Sequence, residues 1–102
     1  MLYNSCVERE DLGVEALMLD TAKEAYIQAA HGVTGNDVFE VFTNAPRFYR
    51  NVGGRGAPGV ILGPNRDGRF LLVAIAPVED GLWRVVTAYW LGESRGRRRY
   101  ER

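Results

Sequence analysis

Three apolar runs in the second half of the chain constrain its fold more than any other feature. They are "PGVILG" at 58–63, "GRFLLVAIAP" at 68–77 and "LWRVVTAYW" at 82–90. Each is rich in β-branched or aromatic residues, and turn signals separate them: "PNRDG" at 64–68 and "PVEDG" at 77–81. Three strands joined by turns this short make an antiparallel meander. The glycine-rich "RNVGGRGAPG" at 50–59 precedes them and reads as a mobile loop or a frayed first strand.

The first half has a different period. "DTAKEAYIQAAHG" at 20–32 has helical spacing, with Ala22, Ala25, Tyr26 and Ala29 on one stripe. Asp20 or Thr21 caps its start and Gly32 its end. "VTGNDVFEVFTNAP" at 33–46 predicts a second helix whose Val38, Phe39 and Phe42 face inward, stopped by Asn44 and Pro46. "GESRGRRRYER" at 92–102 predicts a short polar helix in which Gly96 lowers regularity. The expected fold class is α+β: N-terminal helices packed on a small antiparallel sheet, with a short C-terminal helix. Residues 18–102 are expected to form one domain, and residues 1–17 an N-terminal extension.

The chain has 102 residues, enough for one core and too few for two. It has no apolar run of membrane-spanning length and no secretory leader pattern, so a cytoplasmic protein without membrane contact is predicted. One cysteine, Cys6, and one histidine, His31, cannot make an internal disulfide or a four-ligand zinc cluster. No cofactor is therefore expected.

The formal net charge of zero conceals a division. Residues 1–46 carry Arg9 and Lys23 against eight carboxylates, a net of −6; residues 47–102 carry eleven arginines against five carboxylates, a net of +6. Every cation of the second part is arginine, whose planar fork grips phosphate or carboxylate in a bidentate way. A phosphate-bearing partner is one reading. Pairing of the arginines with the acidic first part across the folded surface is the other.

The order of these words resembles the BrnT-type toxins of bacterial toxin–antitoxin operons, small endoribonucleases with a fold related to RelE. That family opens on W-D-x-x-K and a helix ending in K-H-G-V; here Asp20, Lys23, His31, Gly32 and Val33 fall at that spacing. Its glycine-ended strand, G-R-x-L strand, R-V-I-T-A-R strand and E-R-x-x-Y helix are similar to "ILG" at 61–63, "GRFLLVAIAP" at 68–77, "RVVTA" at 84–88 and "RRRY" at 97–100. The resemblance spans roughly residues 18–102. It departs at Leu19, Ala30 and Tyr89, where the family has tryptophan, lysine and arginine.

The resemblance implies a RelE-like domain, an RNA substrate, a small antitoxin bound as a hetero-oligomer, and cleavage by arginines with a tyrosine or histidine. Cleaving RNA without a metal means attack by the 2′-hydroxyl on the neighbouring phosphate. Such a site needs a proton acceptor, a proton donor and cations around the phosphate. The residues expected to serve are Tyr89, Arg69, Arg55, Arg84 and His31.

Alternatives stand beside each of these. His31 also suits a helix C-terminus, complementing the helix dipole. Tyr89 and Trp90 also suit packing at a sheet edge. Arg97, Arg98 and Arg99 make a solvated or antitoxin-facing patch. "GGRG" at 53–56 is no phosphate loop, for it lacks the lysine and the strand–loop–helix context. On a regular strand Arg84 and Tyr89 fall on opposite faces, and either a bulge or an Arg84 that lies just before the regular part and swings around would reconcile them. Two functions follow: a metal-independent toxin endoribonuclease, or a non-catalytic RNA- or protein-binding domain of the same fold.

Overall fold

The computed structural model describes residues 7–9, 12–51 and 56–101. Its elements in chain order are β1 (Val7–Arg9), β2 (Ala16–Met18), α1 (Thr21–His31), α2 (Gly35–Thr43), β3 (Arg47–Asn51), β4 (Gly59–Pro64), β5 (Phe70–Glu79), β6 (Leu82–Trp90) and α3 (Glu93–Glu101). The fold is α+β, as the change of period implies. No helix among the described residues is long and apolar enough to cross a membrane.

The meander is present as β4, β5 and β6, all antiparallel, and β3 adds to it ahead of the glycine-rich stretch. Glu79 pairs with Leu82, so Asp80 and Gly81 alone turn the β5–β6 hairpin, with Gly81 at φ 79°. The sheet is larger than a meander and is not wholly antiparallel. Its order is β1-β3-β4-β5-β6-β2, and β2 runs parallel to β6. Residues 7–9 and 16–18 thus supply both outer strands, and Leu12, Val14 and Leu17 pack against the core. Of the stretch set apart in sequence as an extension, the described residues 7–9 and 16–17 are paired strands of the sheet.

Strand β5 is buried from Phe70 through Ala76 because both faces of the sheet are covered there. On one face Ile61, Leu71, Val73, Ile75, Val85 and Ala88 meet Ile27 of α1 and Val38 and Val41 of α2. On the other, Tyr49, Val60, Leu62 and Leu72 meet Leu91 and Tyr100 beneath α3. The Tyr49 hydroxyl donates to the Arg99 carbonyl at 2.8 Å, and the Tyr100 hydroxyl donates to the Ala45 carbonyl at 2.7 Å. The first bond ties α3 to β3, and the second ties it to the bend between α2 and β3.

The helix ends follow the expected chemistry. The Asp20 carboxylate accepts from the Lys23 backbone N–H, and Gly32 takes the left-handed conformation that closes α1. Thr34 and Asp37 form a reciprocal capping box on α2. The buried faces differ from the alanine and phenylalanine stripes predicted. In α1 the one buried residue is Ile27, whereas Ala22, Ala25, Tyr26 and Ala29 are exposed. In α2 Val38 and Val41 are buried with Phe42 beside them, and Phe39 is 59% exposed. A position one residue past Val38 lies about 100° round the helix, which carries the Phe39 ring away from the sheet.

A candidate nucleic-acid interface at the end of β6

Two register shifts decide which side chains of β6 face which way. Ala74 pairs with Thr87 and Ile75 with Val85, so Val86 is an extra residue on β6. Trp83 and Val85 before this bulge, and Ala88 and Trp90 after it, belong to the α1–α2 face. Arg84, opposite Ala76, and Tyr89, opposite Leu72, therefore share the α3 face. The condition that strict alternation set for a joint site is met, yet they remain apart. Their partners on β5 are four residues from each other, about 13 Å along the strand.

Tyr89 instead meets a residue from the other end of the chain. β2 pairs only with Leu82, Trp83 and Arg84, so the far half of β6 forms an edge of the described sheet. There the Tyr89 ring, 39% exposed, lies 6.0 Å from the His31 imidazole, centroid to centroid, at a tilt of 51°. His31 is the last residue of α1, and Trp90 ties the end of that helix to β6. The indole N–H donates to the Gly32 carbonyl at 3.2 Å, bonding the capping residue of α1 to the last residue of β6. A tryptophan in this position joins apolar packing to one directed hydrogen bond.

Arg69 completes the neighbourhood. Its guanidinium carbon lies 3.9 Å from the centroid of the Trp90 ring, as a stacked cation would. Its backbone N–H donates to the Asn65 carboxamide at 2.9 Å, which sets the tight β4–β5 connection and starts β5 at the right point. The Asn65 side chain also accepts from the Asp67 N–H, and the residue is buried. Arginine on tryptophan suits either reading of the site, since the flat guanidinium can stack and still point donors outward.

The expected residues thus sort into three groups. His31 and Tyr89 are brought into contact, and Arg69 joins them through Trp90 and Gly32. Arg84 is exposed at the opposite end of β6, beside Met18 of β2, and is not part of this group. Arg55 lies outside the described residues. Elsewhere, Arg47 rests over the Tyr100 ring at 4.7 Å, and Arg97 lies 6.0 Å from the Phe70 ring. Among the described residues no three His, Cys, Asp or Glu side chains gather as metal ligands would.

Sequence reasoning missed one neighbour. Tyr26 is 51% exposed, with its ring 6.2 Å from His31 at nearly a right angle and the Lys23 ammonium 5.1 Å from its centroid. The i, i+3 spacing of Lys23 and Tyr26 carries that signal, which the alanine stripe obscured. Thr87, two residues from Tyr89 on the same face, has a buried hydroxyl without a hydrogen-bond partner.

Exposed aromatics interleaved with cations are what a single-stranded nucleic acid requires: rings for bases, charges for phosphates. The chain matches no protein-family model and no curated protein.

Proposed function

We propose that the chain is a metal-independent endoribonuclease of the toxin kind, restrained by a small antitoxin and acting on RNA in the cytoplasm. The observation that carries this reading is the contact of the His31 and Tyr89 rings at an exposed strand edge. Imidazole is the side chain suited to exchanging a proton near neutral pH, and a phenol can donate one. In the proposed reaction His31 takes the proton of the 2′-hydroxyl as its oxygen attacks phosphorus. The bond from phosphorus to the 5′-oxygen breaks, and Tyr89 protonates that leaving oxygen. The products are a 2′,3′-cyclic phosphate and a free 5′-hydroxyl. The Arg69 guanidinium offsets charge on the crowded phosphate. The resemblance to BrnT-type toxins and their RelE-like fold supports the same assignment, as does the order of helices, meander and arginine-rich last helix.

One observation favours the second reading, a domain that binds RNA without cutting it. Arg69 is engaged on Trp90, and the family's cations are replaced by Ala30 and Tyr89. The test is a gel assay on a long unstructured RNA in EDTA, comparing wild type with Tyr89→Phe and His31→Ala. Losses of about 10²–10⁴ in rate are expected for each, the span of general acid–base catalysis. Equal rates in all three would move the chemistry elsewhere. Binding without cleavage by wild type would establish the non-catalytic reading.

A further inference from the structure

Tyr26 has no role in the core. It projects from a helix whose one buried residue is Ile27, and among the described tyrosines it is the more exposed of the two that are open to solvent, at 51% against 39% for Tyr89. A large ring left outward on a short helix gains nothing from burial. It is nevertheless held in place, with His31 meeting it nearly perpendicular and Lys23 one turn earlier over its ring. Tyr26, His31 and Tyr89 consequently form a continuous row, with successive centroids 6.2 and 6.0 Å apart.

We infer that Tyr26 and Lys23 form a base-binding subsite flanking the cleavage centre, which takes an unpaired nucleotide of the RNA. This rests on the RNA-binding reading of the His31–Tyr89 group and extends it to substrate selection. The exchange is favourable: stacking of a base on an aromatic ring is worth more than an exposed ammonium–ring contact, which it displaces. The released ammonium, on its flexible stem, then meets the phosphate of the same nucleotide. A paired base cannot present its face to Tyr26, so duplex RNA is rejected at this position and the enzyme acts on single strands.

The experiment uses a 5′-fluorescein-labelled oligouridylate, followed by fluorescence anisotropy at low salt, alone and annealed to its complement. Wild type, Tyr26→Ala and Tyr26→Phe are compared, with KM and kcat measured on the long RNA. Tyr26→Ala should bind the single strand about tenfold more weakly, with KM raised and kcat kept, as loss of one stacked base implies. Tyr26→Phe should restore binding, because the ring and not the hydroxyl does the stacking. Tight binding of the duplex by wild type would overturn the inference, as would Tyr26→Ala binding the single strand like wild type. A Tyr26→Ala variant that kept RNA affinity and lost only antitoxin binding would assign the ring to the protein partner instead. If wild type binds no RNA, the underlying reading fails with it, an outcome distinct from failure of the Tyr26 subsite alone.

Discussion

Replacing Gly96 by alanine tests whether α3 sits against the sheet as described. In an isolated helix the change would stabilise by about 1 kcal/mol, because glycine costs backbone entropy there. Here the new methyl would lie 2.7 Å from Cγ and 3.2 Å from Cδ2 of Phe70, and closest of all to its Cβ. Carbon atoms rest at about 3.5–4.0 Å, so ring or helix must move by nearly 1 Å. Rotation of the ring cannot relieve the contact with Cβ, which is fixed to the backbone of β5. Phe70 is buried and packs on Tyr100 with centroids 5.6 Å apart, so displacement spreads into the contacts that anchor α3. Overpacking of this sort costs about 1–3 kcal/mol, and the fixed Cβ places it at the upper end. After the helical gain, the net loss is about 2 kcal/mol, or about 10 °C in Tm for a chain of this size. Thermal denaturation followed by circular dichroism at 222 nm reads it directly. A Tm equal to or above that of wild type would refute the packing of α3 on Phe70. In a Phe70→Ala background, which lacks Cγ and Cδ2, the added cost of Gly96→Ala should be smaller, since the two sites are coupled.

The other expectations are more local. Arg69→Ala should lower the cleavage rate by about 10²–10³, the loss typical of one electrostatic donor, with a smaller effect on folding; an unchanged rate in the gel assay would remove Arg69 from the chemistry. Gly32→Ala, at φ 66°, should cost about 1–2 kcal/mol in urea denaturation and weaken the Trp90 contact, seen as a change in tryptophan fluorescence. Tyr49→Phe removes the hydroxyl that donates to the Arg99 carbonyl and should cost about 1 kcal/mol, read from the denaturation midpoint. Affinity for single-stranded RNA should fall steeply with salt, and a flat log–log slope would argue against phosphate contacts.

Much of the fold was legible because local chemistry wrote it. The hairpin between β5 and β6 announces itself through Asp80 and Gly81, and α1 through Asp20 and Gly32. Strands of three residues such as β1 and β2 leave no periodicity to read, and their partners lie far away in sequence, so neither their existence nor the parallel pairing with β6 could be foreseen. The inward face of α2 was misjudged at Phe39 because size was taken as a sign of burial, when the angular position of Val38 and Val41 decides it. At the candidate site, His31, Tyr89 and Arg69 were each singled out from the family resemblance and the chemistry that RNA cleavage needs. Their grouping was not, since it depends on Val86 shifting the phase of β6 and on an indole reaching the carbonyl of Gly32, which caps α1. Tyr26 lay in plain view, but an outward ring on a helix is visible as such only once the inward side is known.

The position of β2 has a kinetic corollary. β3 through β6 can assemble from contacts between neighbours in sequence, whereas β2 must close against β6 across 65 intervening residues, Ala16 opposite Leu82. Such closure carries a large loop entropy and gains its contacts late, after the meander has formed. Until it happens, the Leu82–Arg84 edge of β6 is an open template for another strand. Mutations in β2 should then speed unfolding more than they slow folding, and they should raise aggregation during refolding at high protein concentration.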